Sequence, residues 1–507
     1  MTIITEDTLE FAKEHISKYY DSDFFPKPVE FEALWHNWND VKMELMSKNV
    51  QKFWIPPPRV MAAMKPKGGF RVVHQLEPLE SIVYTALARE VAESVEPARV
   101  PPEERVACSY RLKPADGSFF SGGTGYSGFV EKTEKLAEEN EYVLVTDITD
   151  YYNQIYLHRL SNAIEYSDPE LKPVGDDLEW FITSLNSKPS QGIPVGPAAS
   201  IVMAEAVLID IDLFLINKGV FHTRYVDDFR IFGESERALR QIQKELTLYL
   251  YENHRLTLSG EKTEIYEANK YVENQLHNQY AEERMSIFKS LDVFNPYTEE
   301  FEEIEYEVED EEELLVERVI AVIDKVLTYP TLDLGLARSA IRKAKWHSIT
   351  DIATTVIKNY GFFGPVVGDV ALYLKVVTTE DVAEEWAPRF AVLLGDEVFD
   401  NELVRFWTEW YLSQYSAYLA NPGIRAFIHG SPFIENRARA AITEYDIAWV
   451  RGMKSDIFHL GSWERRAVLN AARVLPSDER KHWLKLTIGS SPILLDRWVA
   501  KWVLETA

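Results

Sequence analysis

Three carboxylates carry the first sign of chemistry in this sequence. Asp227 and Asp228 stand side by side in His222-Thr-Arg-Tyr-Val-Asp-Asp-Phe-Arg-Ile-Phe-Gly233, which reads as two short apolar strands joined by a tight turn. Carboxylates forced together repel, and a divalent cation relieves that cost, so Asp-Asp on a rigid turn makes a hard-cation site. A bare Asp-Asp pair is also ordinary chemistry for a solvated turn. What tips the balance is Asp147, which ends the apolar strand in Glu141-Tyr-Val-Leu-Val-Thr-Asp147-Ile-Thr-Asp150. A strand-end Asp joined to a hairpin Asp-Asp is the constellation that two-metal phosphoryl transfer needs.

Around these residues lie elements suited to holding a phosphorylated ligand. Arg59-Val-Met-Ala-Ala-Met-Lys65-Pro-Lys67-Gly68-Gly69-Phe-Arg71 predicts a strand, a Lys-rich Gly turn and a second strand. Such a basic hairpin can close over a triphosphate, its cations offsetting charge on a leaving pyrophosphate. Lys-Gly-Gly is equally common turn chemistry without a ligand. Leu79 to Glu90 reads as a helix, residues 114–128 as a Gly/Ser-rich loop, and Thr133 to Asn140 as a charged helix leading into the Asp147 strand. Gln191-Gly192-Ile-Pro-Val-Gly196-Pro197-Ala-Ala-Ser200 then predicts a loop feeding an apolar helix from about Ile201 to Phe214. Its glycines permit close backbone approach, and the helix N-terminus adds a positive dipole end. A further helix, Ser235 to Asn253, precedes Leu256-Thr-Leu-Ser-Gly-Glu-Lys262.

In this order the stretches resemble the fingers and palm of a reverse transcriptase, over roughly residues 50–270. The Asp147 strand resembles motif A, Gln191 to Ser200 motif B, the Asp227-Asp228 hairpin motif C, and the Lys262 segment motif D. Val106-Ala-Cys-Ser-Tyr-Arg111 resembles the short stretch that precedes the palm in bacterial reverse transcriptases, and the Pro-Val-Gly-Pro form of motif B is similar to their abortive-infection branch, whose members are antiphage proteins. The resemblance implies that Asp147, Asp227 and Asp228 are catalytic and hold two Mg²⁺ ions, Mn²⁺ being the substitute. It implies nucleotide contacts from Lys65 or Lys67, Arg71, Gln191, Gly192 and Lys262, with Lys262 as proton donor or charge stabiliser. Tyr152, five residues after Asp147, takes the place of a steric gate that excludes a 2′-hydroxyl, where core packing is the plainer alternative. Asp150 reads as a surface or helix-capping carboxylate.

Composition narrows the kind of polymerase. The net charge is −27, and residues 299–313 hold acidic side chains with no basic one. Even without that run the balance stays acidic, whereas proteins that grip a long duplex along its phosphates are usually basic. The reading therefore disfavours a processive enzyme wrapped around template and primer. A single cysteine, Cys108, excludes a disulfide framework and fits a reducing cytoplasm. The first residues lack the pattern of a signal peptide, and no apolar run reaches membrane-span length.

The predicted architecture is an α+β fingers–palm polymerase core followed by an all-α, solenoid-like helical-repeat domain. Its ranges are a helical extension at 1–50, the reverse transcriptase-like core at 51–290, an acidic linker at 291–313 and the helical domain at 314–507. Predicted helices in the last include Asp381 to Leu394, Glu402 to Leu419 and Leu494 to Glu505. Nine of the thirteen tryptophans fall there, which reads as core. Arg342 and His347 match a nuclease spacing by chance and read as packing. The family resemblance implies template-independent DNA synthesis from dNTPs, primed by a protein tyrosine in a homo-oligomer, leaving single-stranded DNA covalently attached and responding to a phage trigger. Tyr19 and Tyr20, at an expected helix end upstream of the core, are the priming candidates. Tyr411, Tyr415 and Tyr418 are rivals whose spacing looks like a packed helix face. A templated defence enzyme copying a non-coding RNA, and a phage-sensing helical scaffold with a regulatory polymerase domain, are the alternatives.

Overall fold

The computed structural model describes residues 4–20, 24–120, 125–278, 280, 284, 293–295, 300–302 and 312–507. Most of the acidic run at 299–313 lies outside them. The chain forms two compact units. The first comprises residues 1–22, 42–60 and 73–304, and the second residues 23–41, 61–72 and 305–507.

In the first unit, a four-stranded antiparallel sheet carries the carboxylates. Its strands, in chain order, are β1 (Tyr142–Asp147), β2 (His222–Tyr225), β3 (Asp228–Gly233) and β4 (Glu264–Glu267), and their spatial order is β2-β3-β1-β4. Val143 and Leu144 are both fully buried on the central strand β1. Neighbouring side chains on a strand point to opposite faces, so both faces of the sheet are covered. Val143 joins Leu136, Ala137, Phe232, Ala268 and Tyr271 in one cluster, and helix Glu236–Tyr249 packs against β1 and β3.

Two long helices lie in the same unit, α1 (Pro78–Ala98) and α2 (Ala198–Asn217). They pack on each other, and α2 is apolar and buried around most of its circumference, as a core helix must be. Glu205 and Asp212 nevertheless lie within α2, fully buried. Isolated charges at such depth would be prohibitively costly, so each needs a cation.

The expected loop at 114–128 is corrected by the structure. Leu112–Ala115 and Ser118–Phe120 form a hairpin, and a helix begins at Gly125. Its turn is Asp116-Gly117, both at positive φ, and Phe119 and Phe120 are buried. Two adjacent aromatics outweigh the Gly/Ser content around them, and Asp-Gly supplies the turn.

The second unit is largely helical beyond residue 312. Trp407, which is buried, donates its indole N–H to the Phe24 carbonyl at 2.7 Å. Arg466 pairs with Glu30 at 3.0 Å and Arg342 with Asp369 at 2.6 Å, all buried. Arg342 is thus a packing residue. The expected helix Glu402 to Leu419 is broken into Glu402–Leu412 and Ser416–Ala420. The break is enforced by Glu380, whose carboxylate accepts from the backbone N–H of Ser416 and Ala417 at 3.1 and 2.9 Å, capping the second piece from outside. Among the described residues no helix is long and apolar enough to cross a membrane.

Candidate active site

Antiparallel pairing of β1 with β3 sets Asp147 directly opposite Asp228. Tyr225 pairs with Asp228 across the β2–β3 hairpin, so Val226 and Asp227 alone make the turn. The Ile148 N–H donates to the Asp227 carbonyl at 3.3 Å, which ties the turn to the end of β1. All three carboxylates therefore sit at one end of the sheet, Asp147 buried, Asp227 half-buried and Asp228 exposed.

The electrostatics are those of a site short of positive charge. Burial, and then the neighbouring charge of Asp147, push the Asp227 carboxyl up to about 7. The Asp228 carboxyl is raised as well, by loss of surrounding water within the site and by Asp147, partly opposed by Arg230. Lys262 forms an ion pair with Asp147; burial pulls its ammonium down, but this pair outweighs it and holds the group above its ordinary value. Lys262 is delivered by a segment anchored to β1: the Ser259 N–H donates to the Asp147 carbonyl at 2.8 Å, and the Thr146 and Thr263 hydroxyls are 2.7 Å apart. Three hard oxygen-donor side chains, two of them with carboxyls raised by burial and by neighbouring negative charge, fit divalent-cation binding. A second cluster, His429, Glu444 and Asp446, has its potential ligand atoms within 4.8 Å of one another, but Arg425 and Arg437 already pair with its carboxylates.

A pH dependence follows. If Asp227 ligates a cation, the cation and a proton compete for it, and binding must expel the proton wherever pH lies below about 7. The affinity for Mn²⁺, followed by isothermal titration, is expected to rise about tenfold per unit as pH climbs towards 7 and to level off above it. An affinity unchanged between pH 6 and 8 would contradict the assignment of Asp227 as a ligand.

The segment after Asp147 carries Tyr152. Asp150 is exposed in the left-handed region (φ 47°) and accepts from Asn153 Nδ2 at 2.8 Å, ending the strand and opening the short helix Tyr151–Gln154. Tyr151 is buried and donates its hydroxyl to the Ala204 carbonyl at 2.7 Å, while Tyr152 is half-buried. The Gln191–Val195 loop lies along this segment. The Ile193 N–H donates to the Tyr152 carbonyl at 2.9 Å and the Gly192 N–H to the Ile155 carbonyl at 2.8 Å. Gly192 has φ 89°, and a Cβ there would meet the Asn153 carbonyl at 3.0 Å, so glycine is required for both conformation and space. Gln191 is exposed and donates to the Gln154 side chain at 2.7 Å. His74 and Val195 exchange hydrogen bonds at 2.9 and 3.0 Å, fixing the loop from its other side.

The structure thus joins Asp147, Asp227, Asp228 and Lys262 at one sheet end and links Tyr152, Gln191 and Gly192 through the backbone. Lys65, Lys67 and Arg71 are exposed on the hairpin formed by Arg59–Met64 and Phe70–Gln75, and all three fall in its 61–72 portion, which belongs to the second unit. Its turn closes by the Lys65 N–H donating to the Gly69 carbonyl at 3.1 Å, with Gly68 and Gly69 at positive φ. Tyr19 is buried against His15 at the end of helix Glu6–Tyr19, and Tyr20 is half-buried, its hydroxyl accepting from Gln75 Nε2 at 3.3 Å. Tyr411 and Tyr418 are buried and share a 2.7 Å hydroxyl contact.

One group of residues was missed from sequence: Arg99, Ser109, Glu205, Asp212 and Arg224, buried together beneath the Asp227 turn. The available signal was two carboxylates inside the apolar helix α2, which had to be neutralised by arginines distant in sequence.

Geometry of this kind defines a polymerase palm. Residues 64–288 match the family described as reverse transcriptase (RNA-dependent DNA polymerase). The chain therefore carries a reverse transcriptase domain of fingers–palm type and is a nucleotidyltransferase of the RNA-directed DNA polymerase kind. No curated protein matches the chain. Among solved structures it is similar to telomerase from Candida albicans with a TWJ fragment of telomeric RNA, at 12% identity and TM-score 0.32, covering 74% of this chain and 70% of that one. Telomerase from Candida tropicalis with the same kind of RNA gives 12%, 0.33, 73% and 67%, and apo telomerase from Candida tropicalis gives 11%, 0.33, 74% and 74%.

Proposed function

We propose that this protein is an antiphage-defence DNA polymerase that builds single-stranded DNA from dNTPs without a template, starting on a tyrosine of its own homo-oligomer. The observation that carries nucleotidyl transfer is the meeting of Asp147, Asp227 and Asp228 at one sheet end, with Lys262 paired to Asp147. Two Mg²⁺ ions held there would polarise the α-phosphate and stabilise the leaving pyrophosphate. Asp147 and Asp227 are the principal ligands and Asp228 is partly structural. Lys262 stays protonated and serves as a donor of charge or of a proton to the leaving group. Lys65, Lys67 and Arg71, exposed on a hairpin, are the cations suited to the triphosphate.

Template independence and protein priming are supported by the form of motif B and by the net charge of −27, which is poorly suited to a long duplex. The helices beyond residue 312 are read as stacked pairs, a solenoid-like scaffold for assembly and for sensing the phage trigger. Tyr20 is the better-exposed priming candidate, since Tyr19 is buried.

The test is incubation of the purified protein with Mg²⁺ and dNTPs in the absence of nucleic acid. A long product that stays with the protein through denaturation and is released by protease is expected. The adduct should map to the tryptic peptide of residues 19–42, because Lys27 precedes Pro28 and resists cleavage. An absolute requirement for added RNA would replace this reading with templated synthesis. Defence that survives loss of the carboxylates would make the helical part the effector.

A further inference from the structure

Val226 is the residue that turns the chain into Asp227, and it does so in the left-handed region, at φ 56°. For a β-branched side chain that conformation is a strained outlier, so something must hold it. Both polar groups of its backbone are held from below. Its N–H donates to Ser109 Oγ at 2.8 Å, and its carbonyl accepts from Arg224 Nη1 at 3.2 Å.

Neither holder is free to move. The Ser109 hydroxyl has one proton, and it is directed to Glu205 Oε1 at 3.2 Å, leaving the oxygen lone pairs for Val226. Glu205 Oε2 in turn accepts from Arg99 at 2.7 Å and pairs with Arg224 at 3.0 Å. The Arg224 guanidinium is also clamped by Asp212, with Nε at 2.9 Å and Nη2 at 2.9 Å, while His222 lies 3.2 Å from the same carboxylate. All of these side chains are buried. With two carboxylates facing two guanidiniums, the cage is electrically balanced, and its positions are set by α2, by β2, by Arg99 at the end of α1 and by Ser109.

We propose that Ser109 and Arg224 are positioning residues of the metal site: through this cage they keep Val226 left-handed and so aim the Asp227 carboxylate. The proposal rests on the reading of Asp227 as a metal ligand. Without the clamp Val226 relaxes towards the allowed regions of an ordinary residue, and Asp227, next in the chain, swings with it. Glycine adopts the left-handed region without penalty, so a glycine at 226 makes the turn independent of the clamp.

This gives a test that separates positioning from plain packing. Mn²⁺ affinity is measured by titration, with dNTP incorporation in parallel, for the wild type, S109A, V226G, the double variant and D227N. S109A is expected to weaken Mn²⁺ binding about tenfold, in the range usual for groups that orient a ligand. In the V226G background, at whatever level V226G itself sets, the same S109A change is expected to cost less than about twofold. An equal loss in both backgrounds, or no loss from S109A in either, overturns the proposal. If S109A does not fold, S109C carries the comparison, since it keeps the volume while offering a poor acceptor. Loss of Mn²⁺ binding in D227N with S109A unaffected defeats the proposal alone; binding retained in D227N defeats the underlying reading as well.

Discussion

Replacing Asp227 by asparagine is expected to abolish nucleotide incorporation while making the metal-free protein harder to melt. The two effects have one cause. Burial and the charge of Asp147 raise the Asp227 carboxyl to about 7, well above the 3.9 of an unfolded chain. A carboxyl with a raised folded pKa binds its proton more tightly when folded. The fold therefore loses stability as pH climbs from about 4 to about 7, and the loss is complete above 7. Asparagine has nothing to ionise and escapes that loss. At pH 8 without divalent ions, the D227N variant should melt higher than the wild type by a few degrees, on the order expected for one relieved charge; near pH 4 the two should coincide. Catalysis moves the other way, because an amide does not neutralise a cation's charge. Losing several kcal/mol of transition-state stabilisation corresponds to about 10³-fold or more in rate. Adding Mg²⁺ should raise the melting temperature of the wild type and leave D227N unchanged. A variant that polymerises normally would remove Asp227 from the site, and one that melts lower at pH 8 would refute the repulsion.

The meeting of Asp147, Asp227 and Asp228 at one sheet end was legible because its signals are local. An apolar strand ending in Asp147 and a hairpin around Asp227-Asp228 are read from side-chain alternation and turn chemistry, and antiparallel pairing then places Asp147 opposite Asp228. Lys262 was legible by its distance after the hairpin. What escaped were arrangements fixed by partners far along the chain. Ser109, Glu205 and Arg224 come from three elements, and no local pattern announces that they meet around Val226. The break at residues 413–415 is imposed by Glu380, some thirty-five positions earlier, against an uninterrupted helical pattern. Residues 61–72 read locally as a hairpin, which they are, yet they belong to the unit of the C-terminal helices. There Asn401 Nδ2 donates to the Ala62 carbonyl at 2.8 Å, and Met64 lies against Gly364. The hairpin at 112–120 shows the opposite error, in which Gly and Ser content masked two buried phenylalanines.

Shortening Tyr152 is expected to let ribonucleotides in. Its position is determined from both sides: Tyr151 before it is pinned through its hydroxyl to Ala204, and its own carbonyl accepts from Ile193. The ring stands edge-on to Tyr151, with centroids 5.9 Å apart, and is only half-buried, so part of it faces open space. Burial raises its phenol well above the ordinary range, which leaves the ring neutral and makes bulk, not charge, its contribution. Placed under the sugar, a rigid ring would exclude a 2′-hydroxyl sterically, the kind of discrimination obtained by building a clash against the wrong ligand. Removing it should lower the dNTP-over-rNTP preference by about 10- to 100-fold, the range available from one shape contact in a pocket. Y152F keeps the bulk and should keep the preference, whereas Y152A should lose it. The decisive quantity is the ratio of kcat/KM for dNTP and rNTP, measured for wild type, Y152F and Y152A under the same Mg²⁺ concentration. If Tyr152 serves packing alone, Y152A will lower the melting temperature and slow both substrates equally, and the unchanged ratio will refute the gate.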